Sequence, residues 1–221
     1  MTSKLMKLVT GRPYITVGTV YSILFTIGTC HLLNDMIQSV IPALYPLLKE
    51  KYSFTFAQIG IITLIFQITS SVLQPFVGRY ADRHPQPYSL ALGMGFTLVG
   101  LISLAFSSGF LSILLSVALI GCGTAVFHPE ASRVAQMASG GKKSLAQSIF
   151  QVGGNGGSAV GPLLTALIVM PFGQHAVGWF ALAALLASLL LMRVGSWYSF
   201  LLSEVRSRHG KVAATVCNLP G

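Results

Sequence analysis

Six long apolar segments, each about as long as a membrane-crossing helix, constrain the fold of this chain more than any other feature. A helix needs about 20 mostly apolar residues to cross the hydrocarbon core of a bilayer. Only 9% of the residues are charged, whereas soluble domains usually carry about 25%. The sequence therefore predicts an all-α membrane protein, a six-transmembrane-helix bundle surrounded by lipid. The predicted helices cover residues 16–46, 57–78, 88–108, 110–131, 144–170 and 174–196.

The segments divide the chain into three predicted regions. An amino-terminal segment covers residues 1–14, the helical domain covers 15–198, and a polar tail covers 199–221. The first apolar run is too long for the core of a cleavable signal peptide, so we expect it to remain as a helix. We interpret the polar tail as the start of a linker to a further domain.

Basic residues predict the orientation of the helices. Lys and Arg are enriched in the cytoplasmic loops of membrane proteins. If the amino terminus is cytoplasmic and successive connections alternate between the two sides of the membrane, only Lys49 and Lys51 lie outside. The basic residues on the inside then account for the net charge of +9. Because this charge is explained by membrane orientation, we expect no nucleic-acid partner. This predicts a multi-pass protein of the bacterial inner membrane with both termini in the cytoplasm. The residues assigned to the inside are Lys4, Lys7, Arg12, Arg79, Arg83, Arg133, Lys142, Lys143, Arg193, Arg206, Arg208 and Lys211.

The sequence HLLND places polar residues inside the first apolar segment. His31, Asp35 and Gln38 fall on one helix face, and Asn34 adjoins it. A charged side chain at the centre of a bilayer costs about 2.5–3.5 kcal/mol or more, so this face must point into the bundle or into a wet cavity. It is either an internal hydrogen-bond network or a site for a proton or a substrate. We take His31 and Asp35 as proton-coupling candidates and Gln38 as a substrate-pathway candidate.

The fourth segment contains the sequence FHPEASR. Glu130 and Arg133 are three residues apart and can pair on a helix, and His128 precedes them by less than one turn. These residues either cap and anchor the helix at the membrane surface or line a cavity that opens inward. In the second interpretation Glu130 is a proton-coupling candidate, and His128 and Arg133 are substrate-pathway candidates.

The fifth segment combines a polar stripe with glycines. Gln147, Gln151 and Asn155 recur every four residues, which places them on one helix face. Gly157 and Gly161 have the spacing of small residues that lets membrane helices approach closely, and Pro162 follows them. The stripe either lines a solute pathway while the glycines pack, or the whole segment serves packing alone.

The turn after the second segment reads GRYADRHPQP. Gly78, Asp82 and Arg83 have a particular spacing within it. The turn is either an ordinary loop with inward-facing positive charge, or a contact in which Asp82 pairs with a cationic side chain from a neighbouring helix end.

No enzyme site is evident. The sequence SGGKKS lacks the upstream glycine of a phosphate-binding loop. An intramembrane serine protease would need a glycine where Ala159 stands, and His175 lies at the outer edge of the last segment. The cysteines Cys30, Cys122 and Cys217 lack metal-ligand spacing. The sequence therefore predicts no catalytic residues, no metal site and no cofactor other than a proton gradient.

Two motifs resemble those of the major facilitator superfamily of transporters. Gly78, Asp82 and Arg83 match the first half of its signature loop, and GSAVGP, which contains Gly157, Gly161 and Pro162, is similar to a packing motif of its drug antiporters. The resemblance implies a fold in which each half has two inverted three-helix repeats. It also implies twelve helices in total, so these six would form the amino-terminal half. A carboxy-terminal half or a second copy would then complete the carrier.

Several longer stretches, in the same order, look like the fosmidomycin-resistance family within that superfamily. They include HLLNDMIQS, QPFVGRYADRHPQPYSL, VFHPEASRVAQMASGG and LAQSIFQVGGNGGS. This resemblance implies proton-coupled export of small drugs such as fosmidomycin. Asp35 or Glu130 would carry the proton, and Arg133 or a protonated histidine would attract the anionic phosphonate. The alternatives are a carrier of another small solute, such as a sugar or organic phosphate, and a truncated membrane protein that does not transport.

Overall fold

The computed structural model describes the backbone of residues 18–217 and most of their side chains. The predicted segment 1–14, with Lys4, Lys7 and Arg12, lies outside the described residues. Side chains are not described at positions 205, 206 and 208–217, so Arg206, Arg208 and Lys211 are not placed.

The described part of the chain is helical almost throughout and contains no strand, which confirms the predicted fold class. Every predicted segment coincides with a helical unit. Two units are interrupted by a π-helical turn, at Ile68–Val72 and at Thr165–Val169, and a 3₁₀ turn at Gln174–Gly178 precedes the last helix. The helices are α1 (Tyr21–Ala43), α2 (Tyr45–Tyr52), α3 (Phe56–Gln67), α4 (Gln74–Arg83), α5 (Ser89–Ala105), α6 (Phe110–Ala138), α7 (Lys143–Leu164), α8 (Met170–Phe172) and α9 (Trp179–Cys217).

Four helical units are long and apolar enough to cross a membrane: Phe56–Arg83, Phe110–Ala138, Lys143–Phe172 and Gln174–Glu204. Helix α5 is apolar but shorter. Helix α1 has 23 residues, but its four polar residues between positions 31 and 38 lower its mean hydropathy. Helix α1 is therefore not among the four apolar spans, although it is long enough to cross a membrane.

Several helices end later than the sequence predicts. The second and fourth segments, predicted to end near residues 78 and 131, continue to Arg83 and Ala138. The first predicted segment ends near residue 46, whereas helical structure resumes as α2 and continues to Tyr52. Ser53 ends it with a left-handed backbone, φ 53°. The sixth segment was predicted to end near residue 196, whereas α9 continues to Cys217. Residues 203–211 are mostly polar, but no proline occurs before position 220, so a fall in hydropathy alone does not indicate the helix end.

Helices α1 and α7 pack through their backbones. A Cβ atom added at Gly153 would meet the carbonyl of Gly28, and one added at Gly157 would meet the carbonyl of Leu32. Gly161 lies in the same way against Met36 and Ser39. The glycines of the fifth segment therefore serve close packing, as one half of the prediction for this segment stated.

The packing of the helical units follows the two-repeat arrangement that the resemblance implies. The first unit packs against the fifth, and the fourth packs against the second; the third packs against the fourth, and the sixth against the first. Exchanging the first three units with the last three leaves this set of contacts unchanged. His31 and His128 are 97 residues apart (128 − 31), and the π-helical turns that begin at Ile68 and Thr165 are also 97 residues apart (165 − 68). The two repeats therefore match in local detail.

Hydrogen bonds join the helix ends on each side of the bundle. The backbone N–H of Val20 donates to the carbonyl of Ala138 at 2.9 Å, which docks the start of α1 on the turn between α6 and α7. At the opposite end, the hydroxyl of Tyr52 donates to the carbonyl of Ser107 at 2.6 Å. Lys51 Nζ donates to Gln174 Oε1 at 2.8 Å on that same side.

Candidate functional site

Asp35 is the centre of a polar cluster between α1, α6 and α7. Its Oδ1 accepts hydrogen bonds from Gln38 Nε2 at 2.9 Å and from Asn34 Nδ2 at 3.1 Å. Its Oδ2 lies 3.2 Å from His31 Nε2, and His128 Nε2 lies 3.6 Å from Oδ1. His31, Asp35, Gln38 and His128 are called the Asp35 cluster below. The predicted polar face of α1 therefore points into the bundle.

His31 is held by α7. Its Nδ1 lies 2.7 Å from the carbonyl oxygen of Phe150, and its ring stacks on the Phe150 ring with centroids 3.8 Å apart. Only 4% of His31 is exposed. Because a carbonyl oxygen can only accept a hydrogen bond, Nδ1 must carry a hydrogen. This fixes the tautomer and directs Nε2 toward Asp35.

The contact between His31 Nε2 and Asp35 Oδ2 is favourable when the pair holds one proton. A carboxylate can only accept, so the hydrogen between Nε2 and Oδ2 belongs either to a charged imidazolium or to a neutral carboxylic acid. Both arrangements have zero net charge, and they differ only in the position of the proton. Burial in the bundle makes an unpaired charge costly at this position. The pair is therefore a group that can gain or lose a proton as a unit.

His128 connects the cluster to the second repeat. It lies on α6, and its Nε2 is 3.4 Å from Gln38 Nε2 as well as close to Asp35. Its Nδ1 is buried and has no hydrogen-bond partner among the described residues. The amide of Gln38 thus lies between Asp35 and His128, and it can link the protonation of one to the hydrogen bonding of the other.

Gly154 provides the space that the cluster occupies. A Cβ atom at this position would lie 2.7 Å from His31 Nε2 and 2.8 Å from Asp35 Oδ2. Two residues later on the same helix, a Cβ atom at Gly156 would lie 3.7 Å from Leu32 and cause no clash. The glycine tract of α7 therefore shapes the site as well as the helix packing.

A cavity of about 240 Å³ opens beside the cluster. Asp35 and His128 lie on its wall, and Ser158 reaches it from α7. Tyr45 and Thr63 close the opposite wall, joined by a hydrogen bond of 2.9 Å between their hydroxyl groups. The remaining lining residues are Gln38, Ser39, Pro42, Phe66 and Gln67. Tyr45, Thr63 and Gln67 are not predicted as site residues from the sequence, because an isolated hydroxyl or amide in an apolar helix gives no signal of its own.

Glu130 and Arg133 form a separate ion pair. Arg133 pairs with Glu130 as the sequence predicted, and Glu130 is buried with 1% exposure. Arg133 Nη1 also donates to the carbonyl of Ala81 at 2.7 Å and lies 3.8 Å from Asp82 Oδ1. The predicted pairing of Asp82 with a cation from a neighbouring helix is therefore present. These residues contact each other rather than the Asp35 cluster, so their roles in coupling and substrate binding stay predictions.

The remaining residues of the signature loop lie around this ion pair. Gly78 lies close to Pro129, because a Cβ atom there would be 3.4 Å from the proline Cβ. Arg83 is exposed at the end of α4. A second, wider pocket of about 830 Å³ lies between α4 and Pro129, and Arg79, Asp82 and Arg83 line it.

The polar stripe of α7 lies on an open face. Gln147, Gln151 and Asn155 are all exposed, although the glycines on the opposite face of α7 are buried. Gln151 Nε2 donates to Asn155 Oδ1 at 3.3 Å, and Ser132 of α6 donates to Gln147 at 3.5 Å. Pro162 is also exposed, whereas Gly157 and Gly161 are buried. One face of α7 therefore packs and the polar stripe lies on the other face, where its role in lining a pathway stays a prediction.

Known proteins resemble this chain over most of its length. The family model of the Major Facilitator Superfamily matches residues 24–214. The "Fosmidomycin resistance protein" of Escherichia coli (strain K12) is 56% identical over 200 residues, which cover 90% of this chain and 48% of that protein. The "Uncharacterized MFS-type transporter YfnC" of Bacillus subtilis (strain 168) is 50% identical over 200 residues, with 90% and 49% covered. The chain therefore spans about half the length of the curated relatives it matches.

Solved structures share the fold. A mutant of the peptide transporter POT in complex with sulfate superimposes with a TM-score of 0.71 and 19% sequence identity. The match covers 87% of this chain and 45% of that chain. At this identity the likeness concerns the fold alone. It agrees with the packing of six helical units described above.

Proposed function

The chain belongs to the major facilitator superfamily of membrane transporters, and we propose that it forms the amino-terminal half of a proton-coupled carrier that exports fosmidomycin-like drugs across the bacterial inner membrane. The observation that carries this proposal is the 56% identity to the fosmidomycin resistance protein over 90% of this chain. As a member of a transporter family, it is expected to have no enzymatic activity and to use the proton gradient as its energy source.

The Asp35 cluster is the proposed proton site. The shared proton between His31 and Asp35 can be joined by a second one, or be lost, when the cavity opens to water on either side. His128 offers a further imidazole that can take up a proton. A cycle in which the cluster carries protons inward while the drug moves outward gives antiport. Glu130, which is buried beside Arg133, is a second candidate proton carrier.

The substrate pathway is proposed to run between the cavity and the stripe of α7. The amide groups of Gln38, Gln151 and Asn155 are donors that suit phosphonate oxygens. Arg133 is already paired with Glu130 and Asp82. A role for Arg133 in attracting the anion would therefore require that ion pair to open during the cycle. His128, which lies on the cavity wall, is the cationic candidate with direct access.

The open polar face of α7 supports a role for a partner. Polar side chains on the open face of α7 are costly next to lipid, so we propose that a carboxy-terminal half or a second copy of this chain covers them. In transporters of this kind the two halves rock about a site near the bilayer midplane. Lipid would then contact the exposed apolar faces, such as those of Phe172 and Leu189.

The proposed orientation has both termini in the cytoplasm. Arg79 and Arg83 on α4 lie at the end of the bundle where Arg133 meets Asp82. Lys49 and Lys51 lie at the other end, next to Gln174. The basic end is proposed to face the cytoplasm, as the enrichment of positive residues there suggests.

Drug tolerance tests the proposal. The chain is expressed in a fosmidomycin-sensitive host alone, or together with the carboxy-terminal half of the fosmidomycin resistance protein. We expect tolerance with both halves and little or none with this chain alone at levels where it stays monomeric. Full tolerance from a verified monomer would contradict the role as a half carrier. Labelled sugars and organic phosphates in counterflow assays test the alternative substrate class, and no flux with any solute would indicate a protein that does not transport.

A further inference from the structure

Three side chains from two helices bring metal-ligating atoms together at the cavity wall. His31, Asp35 and His128 each offer one ligand atom, and these atoms lie within 4.8 Å of one another. Asp35 presents one oxygen to each histidine, at 3.2 Å and 3.6 Å. The sequence predicted no metal site, since His128 lies on a different helical unit and spacing along the chain could not reveal it.

We propose that His31, Asp35 and His128 form a binding site for a divalent transition metal of the Zn²⁺ type. Two imidazoles and one carboxylate are a ligand set that zinc uses where it keeps water or substrate as a fourth ligand. The cavity beside Asp35 and His128 provides both the entry path and the space for that water. The site goes beyond the proposed transport activity, because metal binding needs neither the drug nor a second half.

The surroundings of His31 are those of a metal ligand. Histidines that bind metals almost always donate the other ring N–H to a carbonyl or a carboxylate, which fixes the tautomer and the ring orientation. His31 does this through Nδ1 and the carbonyl of Phe150, and the ring is stacked on the Phe150 side chain. Its Nε2 faces Asp35, which lines the cavity.

The distances suit one metal ion with small side-chain movements. Ligand atoms around tetrahedral zinc are about 3.4 Å apart when each bond is about 2.1 Å long. Asp35 approaches the two histidine nitrogens through different oxygens, with Oδ2 3.2 Å from His31 and Oδ1 3.6 Å from His128. The carboxylate would therefore bind the ion through both oxygens or rotate to present one of them. The two histidine nitrogens are at most 4.8 Å apart, so His128 would move toward His31 for both nitrogens to bind one ion. The ion would replace the proton that His31 and Asp35 share.

The ligand set also selects against hard cations. Mg²⁺ and Ca²⁺ prefer sites built mainly from oxygen ligands, whereas this site offers a single carboxylate and two imidazole nitrogens. Imidazole ligands suit zinc, copper, nickel and iron. No lysine or arginine is among the described residues that contact Asp35, which are His31, Asn34, Gln38 and His128.

Metal content of the purified chain tests the proposal. The full chain is purified in mild detergent with an affinity tag that contains no histidine, incubated with ZnCl₂, and freed of unbound metal on a desalting column. We expect one Zn²⁺ per chain in the unmodified protein and in the controls His84→Ala and His175→Ala, whose side chains are exposed. His31→Ala and His128→Ala should each lose the retained metal.

A second measurement uses the unmodified chain, so it does not depend on whether a variant folds. Co²⁺ bound by two imidazoles and a carboxylate should give visible d–d absorption, which Zn²⁺ removes and an equal concentration of Mg²⁺ does not. The proposal would be overturned if the unmodified chain showed no Co²⁺ absorption and retained no Zn²⁺. Unchanged retention in a folded His31→Ala, His128→Ala double variant would overturn it equally. Neither result would bear on drug tolerance, which is measured separately.

Discussion

Asp35 on α1 and His128 on α6 face each other across the centre of the bundle, with Oδ1 and Nε2 3.6 Å apart. The two residues come from different three-helix repeats, so a charge change at either one acts on the contact between the repeats. His31 lies 97 residues before His128 and contributes the third ionisable group. In the proposed carrier, the Asp35 cluster would therefore join proton binding to the contact between the two repeats.

Replacing Asp35 by asparagine should abolish proton-driven transport. Asp35→Asn preserves the size of the side chain and one hydrogen-bond acceptor, but the shared proton with His31 is lost. We expect drug efflux against a gradient to fall to background while counterflow of labelled drug continues, because exchange without net movement needs no coupling proton. Both assays use vesicles that contain this chain and its partner half. Glu50→Gln, at an exposed position on α2, is the control and should leave both activities unchanged.

Adding one methyl group at Gly154 should disturb the cluster. The new Cβ atom would lie 2.7 Å from His31 Nε2 and 2.8 Å from Asp35 Oδ2, and such overpacking typically costs about 1–3 kcal/mol. We expect Gly154→Ala to lower thermal stability in detergent and to impair proton-coupled efflux. The matched control is Gly156→Ala, where the nearest atom lies 3.7 Å away. Equal stability and equal efflux of the two variants would show that His31 and Asp35 do not fill the space beside Gly154.

Removing the guanidinium of Arg133 should destabilise the bundle. Arg133→Gln leaves Glu130 buried without its cation and removes the contact with Asp82. Breaking a buried pair from one side commonly costs about 3–5 kcal/mol, and the partial exposure of Arg133 favours the lower end of that range. Thermal unfolding in detergent measures the loss, and Arg83→Gln, at an exposed position, should have little effect. The double variant Glu130→Gln, Arg133→Gln should be more stable than Arg133→Gln alone, because no buried charge is left unpaired. Equal stability of the two would contradict a stabilising contact between Glu130 and Arg133.

The sequence allowed the helices and their polar faces to be predicted, because both depend on local periodicity. His31, Asp35 and Gln38 recur at helical spacing within an apolar run, and Glu130 and Arg133 are near neighbours on one helix. The sequence could not indicate that His128 contacts Asp35 rather than Glu130. That contact depends on the packing of α1 near α6, about 90 residues later in the chain, and Gly154 of α7 leaves space beside Asp35.

Two features escaped prediction for related reasons. The π-helical turns at Ile68–Val72 and Thr165–Val169 change the direction of side chains within apolar segments that have no local marker. The metal site that we propose requires ligands from two repeats, so no ligand spacing appears along the chain. The resemblance to known transporters indicated the fold, whereas only the structure showed which polar residues lie together.

The most direct test of the account is the access of water to the Asp35 cluster and to the open face of α7. In a chain in which Cys30, Cys122 and Cys217 are replaced, single cysteines are introduced as Gln38→Cys, Asn155→Cys and, on the exposed apolar face of α9, Leu189→Cys. Membrane vesicles that contain each variant and its partner half are then treated with a charged, water-soluble thiol reagent. We predict that cysteines at positions 38 and 155 react and that drug slows the reaction, while the cysteine at position 189 stays unlabelled in lipid. Absence of reaction at positions 38 and 155 from both sides of the membrane, under every condition, would contradict the account.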